Sequence, residues 1–81
     1  MTGFVNVADD VHPNILPNGL SIAAYNLNSK NTPSNYGVVL YMSHNNDMIK
    51  WNFAIAFPTE SLSIFISSKI NEKNWSDWIA K

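Results

Sequence analysis

The chain contains no cysteine and no arginine among its 81 residues. Without cysteine there is no disulfide, no thiolate zinc site and no thiol nucleophile to staple or activate so small a domain. Without arginine there is no forked guanidinium for phosphate, and nucleic acid is not an expected partner. Charge is sparse altogether: five lysines against six acids give a formal net charge of −1. No apolar run approaches the roughly 20 residues of a membrane-spanning helix, so membrane insertion is not expected.

In place of charge the chain carries twelve asparagines and nine serines. Its surface is therefore solvated mainly by neutral amides and hydroxyls, which suits extracellular or virion β proteins and also suits hydrogen bonding to sugars. Most of these asparagines read as turn residues. Three Trp, three Tyr and four Phe supply bulk for a core. At this length roughly 60% of the unfolded chain's surface can be buried, which leaves association with other copies as the common remaining source of stability.

The stretch that organises the chain is Ile49 to Phe57. Ile49, Trp51, Phe53, Ile55 and Phe57 occupy alternate positions, with Lys50, Asn52, Ala54 and Ala56 between them. Side chains on a strand alternate between faces, so this spacing makes one bulky apolar face and one small or polar face. The expectation is a central antiparallel strand whose aromatic face forms most of the core.

Further strands are expected at Gly3 to Val7, with Phe4 as anchor, and at Leu20 to Tyr25, after a Pro17-Asn18-Gly19 turn. Asn26 to Asn35, with Leu27 its one apolar residue, is expected to be a long surface loop. Tyr36 to Ser43 places Val38, Leu40 and Met42 on one face and Val39 and Tyr41 on the other. With both faces apolar, that strand is central or meets another subunit. A compact loop, Ser43 to Asp47, joins it to the organising strand. Leu62, Ile64 and Ile66 alternate in a partner strand ending at Ser67 or Ser68. After a polar turn, Trp75-Ser76-Asp77-Trp78 fits one helical turn or an irregular terminal strand, its two rings closing over the sheet's end. The fold class is all-β: one domain over residues 1–81, a small antiparallel sheet or sandwich of about five strands with room for one short C-terminal helical turn.

The order of features resembles the knob domains of phage tail fibres and R-type pyocin fibres. The matching segments are Asn14 to Ile22, Pro33 through Tyr36-Gly37-Val38-Val39-Leu40, Trp51 to Phe57, Leu62 to Ser67, and the closing Trp75-Ser76-Asp77-Trp78. Asn52 stands nearest to where that pattern carries Gln, and Ser67 stands where it carries Arg. If that Arg supports the closing Trp pair by stacking, this chain must support it differently. The resemblance implies a receptor-binding domain of a homotrimeric fibre, located on the virion, that recognises host cell-surface glycan without catalysis. The rival reading is a structural trimerisation or folding cap that touches no receptor.

Chemistry has little to stand on. Asp9, Asp10, Asp47, Glu60, Glu72 and Asp77 all fall in expected loops or turns, without the apolar setting that raises a carboxyl pKa. No serine sits in a Gly-x-Ser-x-Gly elbow. His12 and His44 lie in separate loops without His-x-His or His-x₃-His spacing and read as solvated. Neither an enzyme nor a metal or cofactor site is expected. Sugar binding requires an aromatic face and neutral or acidic groups. Tyr36 and Tyr41 with His44, Asn45, Asn46 and Asp47 offer that combination around one loop. Each also has an ordinary role open to it, Tyr41 in packing and Asn45-Asn46 in the turn. Trp51, Trp75 and Trp78 are expected in the core. An open groove at Tyr36 and Tyr41 would favour binding, and burial of the Val39/Tyr41 face between subunits would favour the structural cap.

Overall fold

A computed structural model describes residues 6–71 and 74–81. They form one antiparallel sheet of five strands in sequence order, β1 (Gly19–Tyr25), β2 (Gly37–Asn45), β3 (Lys50–Pro58), β4 (Phe65–Ile70) and β5 (Ile79–Ala80). The meander puts the expected central strand in the centre, hydrogen-bonded to β2 over nine residue pairs and to β4 over six. The all-β expectation holds. No helix forms among the described residues, and the closing Trp-Ser-Asp-Trp leads in extended form into β5. The expected first strand lies mostly outside the described residues; Val7 makes a single parallel bridge to Ala24. The partner strand begins later than expected, at Phe65, and leaves Leu62 fully exposed.

The turn residues behave as their chemistry dictates. Gly19 has φ 97°, the left-handed conformation open to glycine at little cost, and starts β1 directly after Pro17-Asn18. In the β2–β3 loop the Asn46 side-chain oxygen accepts the Met48 and Ile49 amides, both at 2.8 Å, and closes the hairpin.

The organising strand is turned the opposite way from its expected orientation. Its small face, Asn52, Ala54 and Ala56, is buried, while Trp51, Phe53 and Phe57 are exposed. Register explains the core that results. Across the sheet Ser21, Tyr41, Ala54 and Ser67 form one row, and Ala23, Val39, Ala56 and Phe65 the next. Over these rows run the leading segment and the closing tail, which bring Ala8, Val11, Leu16, Trp75 and Trp78 against them. Covering backbone can approach a sheet closely only where the sheet's own side chains are small. The sheet contributes Tyr25, Val39 and Tyr41 to the core, the covering layer adds Val11 and the half-buried Leu16, Trp75 and Trp78, and the alanines of β3 make room for them. Gly37 serves a close approach within the sheet itself, since a Cβ there would run into the hydroxyl of Tyr25, its β1 partner, and the Phe57 carbonyl.

The leading segment is fixed by backbone bonds along the free edge of β1 and the long loop. Ala8 N donates to Ala24 O at 2.8 Å, Ala24 N to Asn6 O at 2.9 Å, and Lys30 N to Asp9 O at 2.8 Å. At the opposite edge, Ser76 N donates to Ser68 O at 2.8 Å, so both edges of the sheet are partly satisfied from within the chain.

Candidate functional site

The six residues read as sugar-binding do not come together. Tyr36 is 48% exposed and precedes β2, whereas His44 and Asn45 end that nine-residue strand and Asn46 and Asp47 follow it, roughly 30 Å away. Tyr41 lies on the covered face, 3% exposed, its hydroxyl donating to Val11 O at 2.7 Å. Burial, with Asp10 adding to it, pushes that phenol far above its ordinary range. Tyr41 is thus a core residue, and the Val39/Tyr41 face is buried by the chain's own segments. Of the loop residues, Asn46 makes the turn and Asp47 is exposed at its tip. His44 stands beside Trp51 with ring centroids 6.2 Å apart.

Asn45 contributes to a different site. Its amide and that of buried Asn52 exchange two hydrogen bonds of 3.0 Å, and Asn52 Nδ2 also donates to Lys69 O at 3.3 Å. This pair forms part of a cleft of about 380 Å³ lined further by Asn14, Ile15, Leu16, Lys50 and Lys69. Lys69 Nζ donates to Asn14 O at 3.0 Å, and Lys50 Nζ to Asn46 O. Among the described residues no carboxylate lines the cleft, and their character is amide and cationic over an apolar wall. Asn45 and Lys50 are a cross-strand pair at the end of β2 and β3, and Lys69 is the register partner of Asn52. Periodicity alone marked Asn52 only as a small-face position.

His12 departs from its expected solvated state. Its ring lies between Trp75 and Trp78, centroids 5.2 Å and 4.9 Å away and nearly parallel to both. Trp75 Nε1 donates to Pro13 O at 2.9 Å and Trp78 Nε1 to Asn31 O at 2.6 Å. Burial lowers the His12 pKa, against the opposing pull of Asp10 and Asp77. This sandwich, with Ser67 Oγ donating to Ser76 O at 2.7 Å, supports the closing Trp pair in the absence of any arginine. Trp75 and Trp78 pack against the core as expected, whereas Trp51 does not.

The most extensive surface feature is the open face of the sheet. Cross-strand register builds it in rows: Leu20, Met42, Phe53 and Ser68; then Ile22, Leu40, Ile55, Ile66 and Ile79; then Ala24, Val38 and Phe57. Leu20 is 69% exposed, Met42 52% and Phe53 45%. No lysine, aspartate or glutamate occupies any of these positions. A shallow groove of about 540 Å³ crosses the face between Met42, Phe53 and Ile55 on one side and Ile66 and Ile79 on the other. Sequence periodicity grouped Phe53, Ile55 and Phe57 on one face of their strand and Val38, Leu40 and Met42 on one face of theirs; what it could not find was that the chain's covering segments go to the other side.

Compared with known protein families, with curated proteins and with solved structures, the chain matches none.

Proposed function

We propose that this chain is a structural association module, an all-β domain that holds subunits of a larger assembly together through its open sheet face. The observation that carries this reading is the continuous apolar surface from Leu20 to Ile79, free of charged side chains. Soluble monomers rarely leave contiguous apolar patches larger than a few hundred Å² in water, and larger ones mark contact surfaces. The resemblance to tail-fibre knobs supplies a setting, a virion fibre, in which identical copies meet. Between receptor recognition, which that resemblance implies, and its structural rival, the open face favours the structural cap.

The test is light scattering of the chain with and without Phe53→Lys. A buried lysine on a dry contact surface costs far more than the lost ring, while the monomer, whose core lies on the other face, keeps its fold. The expected result is a mass above 9.1 kDa that falls to the single-chain value in the variant. A mass indifferent to Phe53→Lys would remove the reading.

Carbohydrate recognition remains as the second reading, favoured by the cleft of Asn14, Asn45, Asn52, Lys50 and Lys69. Amide groups there can pair with sugar hydroxyls, and the two ammonium groups favour a sugar that carries a carboxylate. On a glycan array Lys69→Ala is expected to weaken binding of uronate-containing polysaccharide, while Tyr36→Ala leaves it unchanged. Absence of any glycan signal from the unsubstituted chain would dismiss this second role.

A further inference from the structure

We infer that the occupant of the open face is a second copy of this chain, the two sheets stacking face to face about a twofold axis that runs along β3. This inference rests on the association reading and adds to it the partner, the stoichiometry and the contact geometry.

Area is the first argument. The exposed apolar side chains of the face retain 37% to 69% of their surface. That corresponds to roughly 800 Å² per copy, the contribution one partner makes to an interface of standard size. Charge is the second. A face with no lysine, aspartate or glutamate offers nothing to select a differently charged partner, and two copies meet on it without like-charge conflict.

Shape is the third argument and the most specific. A twofold contact requires a surface complementary to itself. The row Leu20, Met42, Phe53 and Ser68 is bulky and proud at the β1 end and small at the β4 end. An axis along β3, the middle strand, preserves level along the strands and exchanges the two sides of the sheet. It therefore sets Met42 of one copy over Ser68 of the other, where the row is low, and Leu20 over the β5 side, where the strand is only two residues long. The groove bounded by Phe53, Ile66 and Ile79 lies on that side. Met42 and Phe53 lie near the axis, and the two sheets sit about 10 Å apart, as in aligned sandwiches.

Sedimentation velocity over a concentration series tests the pairing. The expected species has twice the 9.1 kDa chain mass. Met42→Lys should weaken it by about 30-fold or more, the loss typical of a central contact residue. Met48→Lys, in the hairpin loop away from the face, should leave it unchanged. Ser68→Phe fills the space assigned to Met42 and should weaken pairing by about tenfold through overpacking. Adding Met42→Ala should restore most of that loss, a rescue that no effect on folding alone would produce. Near-ultraviolet dichroism from Trp75 and Trp78 checks that each variant keeps its core.

A trimer that Met42→Lys dissociates would overturn the twofold pairing and leave the association reading standing. A monomer whose face binds an apolar dye, with binding lost in Met42→Lys, would overturn the second copy and point to a different occupant. A monomer indifferent to Met42→Lys in both mass and dye binding would overturn both readings.

Discussion

At the scale of single residues, two side chains report on how the covering layer is held. Tyr41 reaches through the core to the Val11 carbonyl, so the phenol both fills space and satisfies a buried acceptor. Tyr41→Phe keeps the ring and strands that acceptor, and is expected to cost about 1–3 kcal/mol in urea unfolding. His12 acts through its protonation. Burial between two indoles holds its folded-state pKa below the ordinary 6.5, with Asp10 and Asp77 opposing the shift. Below about pH 6.5 the unfolded chain therefore binds more protons than the folded one, and stability falls as pH falls. The contribution is fully present above that value. Going from about pH 7.5 to about pH 5.5, the chain should lose more stability than His12→Phe, which has no proton to take up at this position. Equal losses in the two proteins would show that His12 is not the group responsible.

The same contacts acquire their meaning at the scale of elements. The closing Trp-Ser-Asp-Trp joins the last strand to the leading segment and to the β1–β2 loop, because Trp75 holds Pro13 and Trp78 holds Asn31 by their indole N–H groups. Trp75 also meets Tyr41 edge to face at 6.2 Å. Trp75→Ala removes a large half-buried ring together with its hydrogen bond, and the expected loss is about 3 kcal/mol, at the low end for tryptophan because the site is not fully dry. Amide exchange should rise first in the leading segment, at Ala8 and Val11, whose donors bond to Ala24 and Lys30. The strands between show the complementary design. In β3 alternating alanines admit the covering layer on one face, while Trp51, Phe53 and Phe57 project from the other.

For the whole molecule, the sheet is covered once and has two faces to bury. One side is closed by the chain itself around a core whose fully buried members, Val11 and Val39, are of modest size. The other side carries large apolar side chains of the strands and is where the proposed association would take place. Association through such a surface is driven by apolar burial, so raising the salt should leave its strength unchanged or increase it. Measuring the dissociation constant at about 0.05 M and about 0.5 M sodium chloride separates this from a charge-driven contact, which screening would weaken. If affinity drops steeply with salt, the lysines around the Asn45–Asn52 cleft, and not the open face, hold the copies together.

The sequence by itself determined the strands at the middle of the chain and their order. Alternation from Ile49 to Phe57 and from Val38 to Met42, with Pro17-Asn18-Gly19 and the Asn46 turn as punctuation, is a local signal, and local chemistry is enough to place it. It also separated the two faces of β3 correctly. Which face lies inside was decided only by the tertiary structure. Burial energy favours hiding the bulky face, but the chain has only its leading segment and its closing tail to cover a sheet. Those segments approach closely where Ala54 and Ala56 give them room. Both a packing and a binding role were open to Tyr41 in the sequence, and the contact of its hydroxyl with Val11 was decided only by the fold. The Asn45–Asn52 pair and the His12 sandwich join positions far apart in the chain, so no spacing in the sequence could announce them. The open face is the consequence: its residues were legible one by one, and its exposure follows from where the rest of the chain had to go.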